Sequence, residues 1–481
     1  MMTGSEYRQS LKARQPLKVF MNGQRLKNPI EHPVIAASIN SIALTYELAE
    51  DPKYRDAMTA TSSLTGRTIN RFCHLHQSPE ELYRKCGMQR LLGQKCGTCF
   101  QRCVGMDAFN SAYITTYETD RKHGTDYHRR FVEYVKTAEA QDWVVDGAMT
   151  DPKQDRSLRP DRAPDAYLRV VERKEGGVVI RGAKMHQTGA VNSHQIMVMP
   201  TIALKPEERD FAVCCALPAD SPGITYIYGR QPCDTRLLED PPGGSLDIGS
   251  PYGGQECIIV FDDVFVPRER VFMDGETDFS GRLVETFAGY HRSSYACKTG
   301  VGDVAIGAAA LIAEYNGTAG AAHVRDKIVE MIHLNETIWS SCVACCYKGA
   351  RTPAGNYLID LLLANVAKQN VTRFPYEIAR LLQDIAGGLL VTMPGAGEFR
   401  NPETRKYLEL YLQGAGDGSA ENRFKLLRLI ENLTLGRAAV GYLTESMHGA
   451  GSPQAQRIMI ARLAELDKKK EMARRIARIG D

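Results

Sequence analysis

Cys99 and Cys103, in the run Lys95-Cys96-Gly97-Thr98-Cys99-Phe100-Gln101-Arg102-Cys103, offer two thiols, and a distant segment, His291-Arg292-Ser293-Ser294-Tyr295-Ala296-Cys297-Lys298, offers an imidazole and a third. Thiolates are soft ligands that hold iron–sulfur clusters, and an imidazole in place of one thiolate alters a cluster's charge and potential. Three sulfurs and one nitrogen would make an atypical cluster, of a kind suited to chemistry as well as to carrying electrons. The same C-x-x-C-x-x-x-C spacing also fits a zinc site or a redox dithiol, and free cysteines are often no more than small buried hydrophobes. Spacing alone leaves these readings open.

The elements that carry these residues decide whether they can meet. If the local segment is helical, the four-residue step from Cys99 to Cys103 puts both on one face. His291 and Cys297 are six residues apart, a step that turns a side chain by about 240° around a regular helix. A π-bulge, or a helix starting between them, would restore convergence.

From Tyr7 to Gln141 the apolar residues recur at three- and four-residue steps, as in Ile35-Ala36-Ala37-Ser38-Ile39-Asn40-Ser41-Ile42, and the region reads as helical. At Trp143-Val144-Val145-Asp146-Gly147-Ala148 the character changes to short β-branched runs, among them Tyr167-Leu168-Arg169-Val170-Val171, Gly177-Val178-Val179-Ile180 and Cys257-Ile258-Ile259-Val260-Phe261. With no helical pattern between them to form crossovers, the middle block is expected to be antiparallel. After Pro267 the helical pattern returns, rich in alanine and glycine, as in Ala305-Ile306-Gly307-Ala308-Ala309-Ala310. The expectation is an α+β chain in three parts: an N-terminal helical domain over residues 1–142, a middle β domain over 143–275 and a C-terminal helical bundle over 276–481.

Composition narrows the classes further. The chain has 481 residues, 43% of them hydrophobic and 24% charged, with a net charge of +3. Such a balance gives no footprint for nucleic acid or for an anionic membrane. The opening residues lack the apolar core of a secretory signal, and no apolar run has the length of a membrane span, so a cytoplasmic protein is expected. Thirteen cysteines in that compartment are not a disulfide framework.

The order of helices, small β block and helical bundle resembles the acyl-CoA dehydrogenase architecture. The local sequences resemble one branch of the 4-hydroxyphenylacetate 3-monooxygenase superfamily, the 4-hydroxybutyryl-CoA dehydratase/vinylacetyl-CoA Δ-isomerase family. The resemblance spans nearly the whole chain. It is carried by Cys99-Phe100-Gln101-Arg102-Cys103, the loop Lys184-Met185-His186-Gln187-Thr188-Gly189-Ala190, the run Glu256 to Val264, the segment His291 to Lys298, and Leu443 to Pro453. One departure is visible: the family pattern sets the His and Cys seven apart with a Gly-Gly pair, whereas here they are six apart with Ala296 alone.

The resemblance implies a homotetramer whose subunits hold FAD and a 4Fe-4S cluster ligated by Cys99, Cys103, His291 and Cys297. Cys96 is not among those ligands. The implied substrate is an acyl-CoA thioester, dehydrated at C3–C4, with double-bond isomerisation alongside. The C3–H bond of a 4-hydroxyacyl thioester is hardly acidic, so an acid–base pair reaches C2 but not C3. A flavin, which handles single electrons, and a Lewis-acidic iron supply what that pair lacks. His291 is the expected C3 base, Glu445 and Glu256 the carboxylates near C2 and the flavin, and Tyr295 and Lys298 the groups facing the leaving hydroxyl or the thioester carbonyl. Gln101 would support the cluster ligands.

Met149, Thr150, Asp155 and Thr188 match positions where the superfamily contacts the flavin ring. Gln383, Gly387 and Gly388 resemble a stretch that reaches a neighbouring subunit's FAD in acyl-CoA dehydrogenases, and would equally make a helix C-cap. Bland readings accompany the sharp ones: Glu256 at a strand start could be an ion-pair partner, and Tyr295 a core tyrosine. The rivals are a flavin-dependent aromatic hydroxylase like 4-hydroxyphenylacetate 3-monooxygenase, an acyl-CoA dehydrogenase and a zinc-stabilised scaffold. The first two have no need of three converging thiols.

Overall fold

In the computed structural model of the chain, residues 1–152, 154–229, 252–254 and 256–479 are described. Two sheets form the β part. The larger runs in the order Gln24–Arg25, Val19–Met21, Ile224–Tyr228, Glu256–Pro267, Gly177–Thr188, Arg169–Lys174. The smaller runs Val271–Asp274, Val213–Pro218, Gln195–Val198, Val145–Ala148. Their facing sides share one apolar core, in which Ile196, Val198 and Leu217 meet Tyr226, Ile259 and Phe261. The period-two alternation of a strand sends Met197 and Ala216 to the other side, against Phe109 and Phe131 of the helices Cys103–His123 and Tyr127–Gln141.

The expected antiparallel block holds for most neighbours but not for two pairs. Val19–Met21 enters the larger sheet parallel to Ile224–Tyr228, and Val145–Ala148 runs parallel to Gln195–Val198. The first arises because a strand from the helical N-terminal region completes the sheet. The second is a crossover made by strands of the other sheet, Arg169–Lys174 and Gly177–Thr188, so no helix was needed between them.

The helix Pro79–Cys96 starts at Ser78, whose hydroxyl accepts from the Glu81 amide at 3.3 Å, and stops at Gly97 in the left-handed region. It lies directly on the helix Cys297–Tyr315. A Cβ on Gly93 would sit 2.3 Å from the Cys297 carbonyl oxygen, and one on Gly300 1.9 Å from that of Arg90. Only glycine at both positions lets these backbones touch, which sets the depth of Cys297.

Thr277–Tyr315, two helices joined by a short turn, contains an 18-residue window of mean hydropathy 1.4, long and apolar enough for a membrane span, contrary to the sequence expectation. Of that window 67% is buried inside the protein, as befits a core helix of small residues. Cys297–Tyr315, Ala322–Tyr347, Phe374–Ala386 and Ala420–Thr434 then pack around Ala309, Met331, Leu382 and Leu427. A π-helical segment, Val440–Thr444, leads into the short helix Glu445–His448. Single π-helical turns inside helices gather at functional sites.

Candidate active site

Cys99 and Cys103 do not share a helical face. Cys99 lies in the loop after Gly97, the chain turns at Gln101 with φ of 65°, and Cys103 is the first residue of the helix Cys103–His123. The Gln101 side chain pins this turn by donating to the carbonyls of Gly253 at 2.7 Å and Ser38 at 3.2 Å.

His291 ends one helix and Cys297 begins the next. The helix Thr277–Ser294 stops, Tyr295 and Ala296 form a turn, and a new helix starts at Cys297. The break removes the helical phase that would otherwise separate a six-residue pair. Cys99, Cys103, His291 and Cys297 are all buried, as is every cysteine among the described residues, and none of these is in a disulfide. Cys103, His291 and Asp107 offer ligand atoms within 4.8 Å of one another. Burial first, and then neighbouring negative groups, pushes the Cys99 and Cys103 thiols well above their ordinary range. Cys297 is raised to about 11 by burial, against the pull of Lys298. A bound metal would reverse this, since coordination deprotonates a thiol outright. Cys96 instead donates to the Thr98 carbonyl at 3.0 Å and packs with Phe100 and Cys297.

Glu445 faces this centre from the other side. Its Oε1 accepts from Cys99 Sγ at 3.5 Å and its Oε2 from Lys298 Nζ at 2.7 Å. Burial alone would lower the Lys298 ammonium, but Glu445 and the nearby thiols raise it above the ordinary lysine range. Lys298 also donates to the Gly441 carbonyl at 2.6 Å, tying the π-helical segment down. Tyr295 donates to the Glu445 carbonyl oxygen at 3.2 Å, and its ring lies against the His291 ring at 5.6 Å. Gly449 makes room for that hydroxyl, since a Cβ there would fall 1.6 Å from it.

Glu256 and Thr188 are opposite each other at the ends of paired strands, with Thr188 Oγ1 donating to Glu256 Oε1 at 2.6 Å. Desolvation first, and the Glu445 carboxylate second, hold Glu256 well above the usual carboxylate range. The two carboxylates therefore differ: one is set against an ammonium, the other is biased towards the neutral acid. A carboxyl held towards its neutral form is suited to donating a proton.

Met149 and Thr150 sit at the same end of the sheets. Met149 O accepts from Lys184 Nζ at 2.8 Å, and Thr150 O from the Met185 amide at 2.7 Å. Lys184 also pairs with Asp151 at 2.8 Å, so a buried ion pair fixes this loop. Asp155 lies apart, on an exposed turn where it accepts from the amide and hydroxyl of Ser157. Gln383 is near the end of the helix Phe374–Ala386, and Gly387, with φ of 77°, stops that helix beside Gly388 at an exposed corner.

Three residues of the site were not anticipated. Asp107 accepts from His291 Nδ1 at 2.8 Å, Lys85 pairs with Asp107, and Lys368 Nζ stands 3.9 Å from the Tyr295 ring centre. Burial, and then Lys298, push Lys368 well below the ordinary lysine range. Asp107 had a signal, four residues after Cys103 and so one helical turn deeper. Lys85 and Lys368 had none.

The profile of the 4-hydroxyphenylacetate 3-hydroxylase N-terminal region matches residues 3–273, and that of the C-terminal region matches residues 280–478. The chain belongs to this family. Within it, the chain is 55% identical to the 4-hydroxybutyryl-CoA dehydratase/vinylacetyl-CoA Δ-isomerase of Clostridium aminobutyricum, with 100% of both chains covered. It also superposes with a TM-score of 0.96 on the oxygen-tolerant archaeal 4-hydroxybutyryl-CoA dehydratase from N. maritimus, at 54% identity, covering 100% of this chain and 95% of that one. The oxygenase component of 4-hydroxyphenylacetate 3-monooxygenase from Thermus thermophilus is more distant, at 27% identity over 90% of this chain and 88% of that one.

Proposed function

We propose that the protein dehydrates 4-hydroxybutyryl-CoA to crotonyl-CoA and isomerises vinylacetyl-CoA to crotonyl-CoA, as a lyase with isomerase activity. The observation that carries this is 55% identity along the full length of a dehydratase of that name. The side chains support it, because Cys103 and His291 offer ligand atoms within 4.8 Å of each other and Cys99 lies against the Glu445 carboxylate.

The donor set fits a 4Fe-4S cluster held by Cys99, Cys103, His291 and Cys297: three soft sulfurs and one imidazole, buried, with Lys298 close enough to offset added negative charge. FAD fits the sheet ends, where Thr188 and the pinned Met149–Thr150 loop leave partly accessible polar groups. When bound, the flavin supplies one-electron chemistry and the cluster iron a Lewis acid.

The chain's own residues handle the protons. Glu445, paired with Lys298, is the carboxylate placed to take the C2 proton, and the neutral-biased Glu256 is the acid that returns one. His291 would take the C3 proton on Nε2 once that nitrogen is released from a bound cluster, with Nδ1–H still held by Asp107. Tyr295 and Lys298 bind the polar oxygens of the substrate and keep it oriented. Isomerisation needs only the proton-moving part of this set. The subunits assemble as a homotetramer in which Gln383, Gly387 and Gly388 reach a neighbouring subunit's FAD.

The test is iron, sulfide and flavin analysis on protein purified without oxygen, followed by addition of 4-hydroxybutyryl-CoA. About four irons per subunit with FAD and crotonyl-CoA are expected. Flavin without iron, together with hydroxylation of a phenol, would overturn the proposal.

A further inference from the structure

Behind the thiol centre lies a buried polar network that meets the proton-moving residues only at His291. Lys85, on the helix Pro79–Cys96, and Asp107, on the helix Cys103–His123, have side chains fully removed from solvent, with Nζ 2.8 Å from Oδ1. The ammonium's other donors are satisfied by the Tyr290 carbonyl and the Ser293 hydroxyl, both at 3.1 Å. Asp107 Oδ2 accepts from His291 Nδ1 at 2.8 Å and from Ser294 Oγ at 2.7 Å. Oδ1 has the ion pair alone and no hydrogen bond, so the hydrogen bonds at Nζ and at Oδ2 are what steady the buried pair.

Paired with Lys85, Asp107 is a carboxylate and can only accept, so the Nδ1 that faces it carries the hydrogen. In a neutral imidazole only one nitrogen carries the proton, and its partner decides which. With Nδ1 committed to Asp107, the free lone pair is on Nε2. The ring plane is held as well, stacked on Phe287 at 5.5 Å with Tyr295 edge-on at 5.6 Å. Asp107 is itself occupied on both oxygens, by an ammonium and by the imidazole, which leaves it poorly placed as a ligand.

We infer that Asp107, anchored by Lys85 and assisted by Ser294, is the positioning residue that fixes His291 as its Nδ1–H tautomer and presents Nε2 to the three thiols. The inference rests on the cluster reading above. Partners of this outer kind change metal affinity or activity by about 10–100-fold when removed.

The experiment uses holoenzyme prepared without oxygen and follows iron release to a chelator. Asp107→Asn and the double variant Lys85→Met/Asp107→Leu are compared with the unsubstituted protein. The double variant removes the ion pair as a unit, which disturbs a fold far less than orphaning one member. Both are expected to release iron about 10–100-fold faster. If Asp107 serves only to pair with Lys85, the double variant will release iron at the unsubstituted rate, and the inference falls. On the unsubstituted holoenzyme, reduced with dithionite so that its cluster is paramagnetic, electron–nuclear double resonance with histidine labelled at one ring nitrogen or the other identifies the coordinated atom without any variant having to fold. Coupling to Nε2 is expected, and coupling to Nδ1 overturns the inference. Unsubstituted protein that binds no iron instead fails the cluster reading itself.

Discussion

Cys99 Sγ donates to Glu445 Oε1 at 3.5 Å, joining two residues 346 positions apart. A thiol offered to a metal and a carboxylate offered to a substrate are therefore neighbours, and chemistry at one is felt at the other.

Replacing Cys99 by Ala is expected to abolish dehydration and to lower the iron content of each subunit, while part of the vinylacetyl-CoA isomerisation survives. Turnover assays for both substrates, run beside iron analysis, check it. Unchanged dehydratase turnover would sink the role given to the thiols.

The Lys298–Glu445 pair is nearly closed to solvent on the lysine side. Lys298→Met orphans the carboxylate, and a stability loss of about 3–5 kcal/mol is expected in denaturant unfolding. Adding Glu445→Leu should recover most of that loss and none of the turnover. A double variant that regains activity would show that the pair is structural only.

Gly449→Ala places a Cβ where the Tyr295 hydroxyl now lies. Overpacking of this kind costs about 1–3 kcal/mol. Because the clash is with the hydroxyl, Tyr295→Phe introduced into the same chain should relieve part of it. Thermal unfolding of the single and double variants reads the difference, and no relief would place the strain elsewhere.

Asp146, buried in the strand Val145–Ala148, is raised from an ordinary 3.8 to about 8 by burial, opposed only by the Gly147 amide. Folding thus favours the protonated acid. Its contribution is fully present below about pH 4 and is lost as pH rises through about 8, with a slope of up to about 1.4 kcal/mol per pH unit between. Between about pH 6 and pH 9, Asp146→Asn should lose less thermal stability than the unsubstituted protein. Parallel losses in the two would rule this out.

Much of this was legible in the residues themselves. Continuous apolar runs such as Ile196 to Met199 marked strands buried on both faces, and three- and four-residue steps marked helices with one buried face. Pairing direction was not legible, since Val19–Met21 joins its sheet from outside the β block. The shared helical face expected of Cys99 and Cys103 failed because a left-handed residue, Gln101, ends the turn before the helix begins. Of the candidate site, the sequence singled out the residues with chemically distinctive side chains in short motifs. Lys85 and Lys368 were not among them, because a lysine on a helix normally marks the solvated face, and only tertiary packing shows these two to be interior.

The turn at Tyr295 and Ala296 frees the distance between His291 and Cys297 from helical periodicity. Insertions and deletions are tolerated at such a joint, so related chains can differ in the count between these two residues and still align them in space. A motif search that demands one fixed interval will pass over some members, whereas one anchored on Cys99, Cys103 and the Glu445 segment, with a variable gap at the joint, will retain them.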